Sequence, residues 1–154
     1  MTRINADLDP AILLDQHLIA EYRELPMVYA SLRRSLNGRN LYDVIGKCPR
    51  HFTLNTGHVS FFYLRLKFLK ARYARLQDEC MRRGYNLDPD RVYNLQEFPE
   101  ECFGDYYMTR RDFDTITERI LLRHSAKPDW YTYNGDHIST DTYKLLLEGS
   151  FKHD

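Results

Sequence analysis

One face of a segment near the N-terminus carries side chains that could do acid–base chemistry. His17, Glu21 and Glu24 are spaced i, i+4 and i+7, which places them on the same face of an α-helix. Gln16 and Arg23 lie beside them. An imidazole, two carboxylates and a guanidinium on one face could transfer protons and stabilise charge. The alternative is a solvent-exposed face with one or two i,i+4 charge pairs, and the spacing by itself favours this alternative.

Two further features could belong to a site. His58 lies in a loop, where a single histidine is more often a hydrogen-bonding partner than a metal ligand. The aromatic run at residues 130–133 could stack on a base, although such a run more commonly packs a chain terminus onto the core. The sequence has no Gly-rich phosphate loop, no Gly-x-Ser-x-Gly and no His-Glu-x-x-His, so these familiar catalytic signatures give no guidance.

An apolar stripe predicts that the polar face belongs to the first of three long helices. This helix should begin near Asp9 and Pro10, kink at Pro26 and end at Asn37 and Gly38. The stripe recurs at spacings of three and four through Leu14, Leu18, Tyr22, Leu25, Tyr29, Leu32 and Leu36.

A second helix is predicted from about Ser60 to Arg83, with Gly84 as its stop. Its apolar stripe runs from Phe62 to Cys80. Seven basic residues are expected outside that buried stripe: Arg65, Lys67, Lys70, Arg72, Arg75, Arg82 and Arg83.

The third helix should begin at Thr109, where Asp112 completes a Thr-x-x-Asp capping box, and the helical region should end at Pro128. No stretch shows sustained strand alternation. The prediction is therefore an all-α fold, a single compact domain of three main helices with long loops, over residues 1–140. Residues 141–154 are expected to form a C-terminal tail, either a short helix or a frayed end.

Charge is unevenly distributed along a chain of 154 residues with a formal net charge of zero. Between Arg33 and Arg83 there are 12 basic and three acidic residues. A polyanion such as DNA would be drawn to this half, although a solvated basic helix gives the same pattern. Three widely spaced cysteines indicate neither a zinc site nor a disulfide framework, and no apolar signal or membrane segment is evident. A soluble, intracellular protein is therefore expected.

Several blocks of sequence, taken in order, resemble the pyrimidine-dimer DNA glycosylases of the phage endonuclease V type. The resemblance covers about residues 1–140, in register apart from short insertions. The blocks are Thr2-Arg3-Ile4-Asn5, Asp15-Gln16-His17-Leu18, Ala20-Glu21-Tyr22-Arg23-Glu24-Leu25, Thr53-Leu54-Asn55-Thr56-Gly57-His58-Val59, Phe61-Phe62-Tyr63, Arg83-Gly84-Tyr85-Asn86, Gly104-Asp105-Tyr106 and Pro128-Asp129-Trp130-Tyr131.

The resemblance implies a mostly α fold and a DNA glycosylase coupled to β-elimination, with no metal or organic cofactor. Thr2 matches the family's nucleophile, acting through its α-amino group once Met1 is removed, and Glu24 matches the catalytic carboxylate. The positions that match residues gripping the damaged strand are Arg3, Gln16, His17, Arg23, Arg119 and Arg123, with Trp130 and Tyr131 in an aromatic segment near the site. The implied partner is double-stranded DNA containing pyrimidine dimers or abasic sites, bound by a monomer.

Two positions depart from the family pattern. Met27 stands where the best-known pattern has arginine, and Thr132 replaces a lysine. The residues leave two other hypotheses open: a non-catalytic DNA-binding module on the same fold, and a helical protein-interaction domain with a basic surface. Strand scission of irradiated DNA separates the first hypothesis from these two.

Overall fold

The computed structural model describes residues 4–151, and this part of the chain is helical, without strands. The all-α prediction is confirmed. Single 3₁₀ turns lie at Pro10–Ile12, Phe62–Leu64 and Glu100–Cys102. The α-helices are α1 (Asp15–Glu24), α2 (Met27–Leu36), α3 (Leu41–Lys47), α4 (His58–Phe61), α5 (Leu66–Arg82), α6 (Arg110–Ala126) and α7 (Thr140–Ser150).

The predicted first helix is divided in two at the expected proline. Pro26 has no backbone N–H, and it separates α1 from α2 while keeping helical torsion angles (φ −62°, ψ −15°). The predicted beginning is wrong, because Asp9 caps only the 3₁₀ turn and α1 begins at Asp15. The intervening Leu14 is extended, so the helix cannot propagate through it. The predicted end is confirmed at Asn37.

The predicted second helix is also interrupted. α4 and a 3₁₀ turn precede α5, and Arg65 between them leaves the helical region (φ −131°, ψ 38°). Here the chain at Gly104 inserts: its N–H donates to the Leu64 carbonyl at 2.9 Å, and its carbonyl accepts from the Phe68 N–H at 3.3 Å. Gly84 ends α5 with a left-handed φ of 90°, as predicted.

The third predicted helix begins where expected. The Thr109 hydroxyl accepts from the Asp112 N–H, and the Asp112 carboxylate accepts from the Thr109 N–H, so both halves of the capping box are formed. After it, α7 packs onto the domain through Tyr143, whose hydroxyl donates to the Ile12 carbonyl at 2.8 Å. The division of the chain at residue 140 stays a prediction.

The core is formed where α1 packs along α5 and where an aromatic cluster fills the space beside α4. Phe52, Phe61 and Tyr106 belong to this cluster. Two basic residues contradict the expectation that the cations of α5 lie outside the buried stripe. Arg72 is fully buried, and only 3% of the Arg83 side chain is exposed, because each is paired with a buried carboxylate of α1.

We predict that Gly104→Ala destabilises the protein, because a Cβ at this position would lie 2.3 Å from the Leu64 carbonyl oxygen. Neither group is a flexible side chain, so the backbone must shift at a cost of roughly 1–3 kcal/mol. Gly46→Ala is the matched control: Gly46 lies in α3 with nothing near its missing Cβ, and alanine there should be neutral or stabilising by up to ~1 kcal/mol. Urea unfolding measures both, and equal effects would contradict the prediction.

Candidate active site

A buried ion pair joins α1 to α5 beneath the candidate site. The Arg72 guanidinium binds both carboxylate oxygens of Glu21, with Nη2 at 3.0 Å from Oε1 and Nε on Oε2. Both side chains are fully excluded from solvent. The interpretation of the polar α1 face as solvent-exposed is therefore wrong for Glu21. A buried charge pair needs additional hydrogen bonds to offset its desolvation.

The first described residues of the chain supply those hydrogen bonds. The Asn5 backbone N–H and side-chain amide both donate to Glu21 Oε1, at 3.2 and 2.8 Å, and Arg72 Nη1 donates to the Leu8 carbonyl at 2.8 Å. The N-terminal segment is thus tied to the α1–α5 pair by its backbone. The sequence pattern assigns neither Asn5 nor Arg72 to the site.

His58 anchors Ile4, the residue before Asn5. Its Nε2 accepts from the Ile4 N–H at 2.9 Å, and its Nδ1 lies 2.7 Å from the Thr53 carbonyl. These contacts fit a neutral imidazole that carries its proton on Nδ1. The prediction that His58 is a hydrogen-bonding partner is confirmed.

Glu24 lies one turn beyond Glu21 on α1 and lines a narrow crevice with Ile4, the first described residue. His58 lines this crevice as well. Val59 and the half-exposed Met27 also contribute to its wall. Thr2 and Arg3, the predicted nucleophile and its neighbour, lie outside the described residues. The described chain nevertheless begins beside the predicted carboxylate.

The other end of α1 brings together several of the residues expected to bind DNA. The ring of His17 lies 4.9 Å from that of Tyr131, between centroids. Burial, and then the charges of Arg119, Arg123 and His124, lower the pKa of His17 to about 4. The imidazole is therefore neutral at physiological pH and leaves the positive charge here to the two arginines.

His124 is a residue of this cluster that the sequence analysis missed. It is fully buried, and its Nδ1 lies 2.8 Å from the Thr140 hydroxyl of α7. Its ring lies 6.0 Å from that of Tyr131, so Tyr131 contacts both histidines. An α6 position four residues after Ile120 was the available signal, because it continues the buried face of that helix.

The start of α1 holds the C-terminal aromatic segment in place. Gln16 exchanges two hydrogen bonds with Thr132, and the Asp15 carboxylate accepts from Thr132 and from the N–H groups of Asn134 and Gly135. Burial raises the pKa of Asp15, but these hydrogen bonds and the charge of Arg83 outweigh it and leave the pKa lowered. The side-chain amide of Gln16 is therefore engaged within the protein.

The aromatic run divides between the two roles considered for it. Tyr131 and Tyr133 are partly buried against the core, and the Tyr133 hydroxyl donates to the Ala11 carbonyl at 2.8 Å. Trp130 is 64% exposed. Arg23, expected near the lesion, is exposed on the side of α1 where its charge acts on Cys80 and Tyr85.

A sequence profile of the family described as pyrimidine dimer DNA glycosylase matches residues 1–92. The matched part contains α1 to α5, the buried ion pair and the crevice at Glu24. The class is thus that of the DNA repair glycosylases. The chain belongs to the pyrimidine dimer DNA glycosylase family, which indicates DNA carrying such dimers as its substrate.

Residues 4–151 contain neither a cluster of metal-binding side chains nor a membrane-spanning helix. No group of three or more histidine, cysteine, aspartate or glutamate residues in this range could hold a metal ion. None of the helices in the same range has both the length and the apolar character needed to cross a bilayer.

We predict that Arg72→Met lowers the free energy of unfolding by about 3–5 kcal/mol, because it leaves the Glu21 carboxylate buried without its cation. Arg75→Met on the same helix is the control. Arg75 pairs with Asp7 at the surface, where 45% and 35% of the two side chains are exposed, and its loss should cost under ~1 kcal/mol. Adding Glu21→Gln to Arg72→Met should recover part of the loss. Similar unfolding curves for the two single variants would refute this account.

We also predict that His17 contributes a pH dependence to stability. Its pKa of about 4 in the folded protein lies below the ordinary 6.5, so the unfolded chain binds more protons between these values. The contribution is fully present above pH 6.5 and is lost as the pH falls towards 4, by at most about 3 kcal/mol. Urea unfolding at pH 7 and 4.5 should show a smaller decrease for His17→Gln than for the wild type. The exposed His137 gives the control His137→Gln, which should keep the wild-type decrease.

Proposed function

We propose that the protein is a bifunctional DNA glycosylase and AP lyase, acting at cyclobutane pyrimidine dimers through the α-amino group of Thr2 and the carboxylate of Glu24. The observation that carries the proposal is the anchoring of the N-terminal segment: Ile4 and Glu24 line one crevice, and the Ile4 and Asn5 N–H groups are bonded to His58 and Glu21. A chain of two residues reaches at most ~7 Å from Cα to Cα, so the Thr2 amine starts within reach of the crevice.

An α-amine suits this chemistry better than a lysine. Its ordinary pKa is ~8, so far more of it is neutral at pH 7. Arg3, the next residue in the chain, is a cation that would favour the neutral form further. The mechanism requires removal of Met1, and Thr2 is small enough for ordinary methionine removal.

The reaction proceeds in two stages. The amine nitrogen attacks C1′ of the 5′ sugar of the dimer, and the C1′–N bond to the base breaks with its electron pair leaving on the base. The nitrogen then loses a proton. The sugar ring opens as the C1′–O4′ bond breaks with its electron pair on O4′, which takes up a proton, and C1′ and the nitrogen form the protonated imine. The imine acidifies the C2′–H bond. Removal of that proton then expels the 3′ phosphate by β-elimination. In this proposal Glu24 stabilises the cationic sugar and moves these protons.

The cluster at the other end of α1 fits a role in gripping the damaged strand. Arg119 and Arg123 supply positive charge beside the neutral His17, and Trp130 presents an exposed aromatic face. Gln16 acts in this proposal by holding the segment that carries Tyr131. Cleavage at abasic sites and action as a monomer belong to the same proposal.

The two departures from the family pattern have different consequences. Met27, 50% exposed, lines the crevice beside Glu24, so a cation is exchanged for an apolar contact at the lesion. Thr132 stands where the family pattern has lysine, and its hydroxyl is hydrogen-bonded to Asp15 and Gln16. These bonds hold the C-terminal aromatic segment on α1, and the segment carries one positive charge fewer near DNA.

Borohydride added during incubation with dimer-containing duplex should trap a covalent complex, because reduction converts the imine into a stable amine. Mass spectrometry of the trapped protein should place the adduct on Thr2, with Met1 absent. Glu24→Gln should lower nicking of irradiated plasmid by at least 10²-fold while duplex binding is kept. Glu118→Gln, an exposed carboxylate on α6, is the matched control and should nick normally.

Two outcomes would reject the proposal. A protein with a free Thr2 amine that nicks irradiated DNA but forms no trapped complex does not use the imine route. Salt-dependent binding without scission would instead identify a non-catalytic DNA-binding module.

A further inference from the structure

A second, strongly basic cavity lies outside the crevice. Its volume is about 510 Å³, and it shares no lining residue with the crevice at Glu24. Three arginines and a histidine contribute to its wall: Arg50, His51, Arg65 and Arg111. Arg50 and Arg111 are 61 residues apart in the sequence, and the fold brings them to the same cavity.

Arg65 is the most constrained of these cations. Its guanidinium lies over the ring of Phe61 at 3.9 Å, and its Nη1 donates to the Phe61 carbonyl at 3.2 Å. Its Nε is buried and has no hydrogen-bond partner among residues 4–151. Burial lowers the pKa of Arg65, which shows that this cation is held at some cost. Arg65 is partly buried and lines the cavity, so its guanidinium can give an anion there a charge-assisted hydrogen bond.

Two carboxylates, Asp105 and Asp112, also line the cavity, and each has a partner within the protein. Asp112 accepts hydrogen bonds from the Tyr106 hydroxyl at 2.7 Å and from the Thr109 N–H at 3.3 Å. Asp105 lies 3.4 Å from the ammonium group of Lys67. Within residues 4–151, neither Arg50 nor Arg111 forms an ion pair. With Asp105 paired to Lys67, the three arginines face one remaining carboxylate, that of Asp112, so the cavity keeps an excess of positive charge for an anionic ligand.

An aromatic face stands at the same cavity. Tyr107 lines it and is 81% exposed, although the preceding Tyr106 is buried. Arginines beside an exposed aromatic ring are the combination that binds the phosphate and the base of one nucleotide. Phe52 connects the two sites, because it lines the cavity and its ring lies 5.6 Å from His58 of the crevice.

We infer that this cavity is a phosphate-binding subsite, formed by Arg50, Arg65 and Arg111 with Tyr107 as a stacking face. Two sources can present the phosphate: the backbone of a DNA strand that leaves the crevice past Phe52, or the terminal phosphate of a free nucleotide. The site gives a function to the basic half of the sequence that the catalytic proposal does not use.

The test measures binding to undamaged duplex, so it does not depend on the imine chemistry. Each phosphate contact contributes about −0.9 to the slope of log K against log salt concentration. Arg50→Ala/Arg111→Ala should therefore make the slope shallower by about 2 if the DNA backbone is the source. Arg34→Ala/Lys144→Ala removes the same charge from exposed positions of α2 and α7 and should leave the slope nearly unchanged. Both double variants alter exposed residues, so thermal unfolding should match the wild type.

A second readout identifies the source of the phosphate. The Arg65 Nε–H resonance in a ¹H–¹⁵N spectrum, assigned by its loss in Arg65→Lys, is followed while duplex, inorganic phosphate or thymidine 5′-monophosphate is added. A shift with duplex alone supports the backbone, and a shift with either small phosphate supports a nucleotide site, provided that Arg50→Ala/Arg111→Ala suppresses it. An unmoved resonance with all three probes, or equal slope changes in the two double variants, would overturn the inference.

Discussion

The buried pair between Glu21 and Arg72 is the interaction on which the rest of the site depends. It joins α1 to α5, and because both charges are removed from water, every remaining donor and acceptor of the pair has to be satisfied nearby. Asn5 and Leu8 satisfy them through contacts that include their backbones. The requirement to solvate a buried charge therefore fixes the path of the N-terminal segment, which passes beside Glu24.

This arrangement separates positioning from chemistry along a single helix. Both glutamates line the crevice, but Glu21 is fully buried in its ion pair, whereas Glu24, one turn further on, is partly exposed. At the opposite end of α1, Asp15 organises the segment that carries Tyr131, while burial keeps His17 neutral between two arginines. Helix α1 thus holds both the start of the chain and its C-terminal aromatic segment, although these segments are distant in sequence.

The outcome for individual residues shows what a pattern can predict. The Thr109 capping box and the stop at Gly84 were predictable, because each depends on a few neighbouring residues. The pattern misplaces Arg72, which lies at stripe spacing three residues after Leu69, because a charged residue is expected to be exposed even at an apolar position. The break at Arg65 could not be predicted, since it depends on a backbone insertion by residues far along the chain.

The sequence by itself determined the helical class, the approximate location of the main helical regions, the family and the pairing of an N-terminal amine with Glu24 as a hypothesis. Helix propensity, capping and apolar spacing act over a few residues, and ordered motif blocks carry family membership, so a linear chain contains them in full. Only the tertiary structure decided that Glu21 is a buried anchor, that Ile4 lies at the crevice and that Arg50 meets Arg111 at one cavity. Burial and charge pairing depend on which distant segments exclude water from a side chain, and that is a property of the packed fold alone.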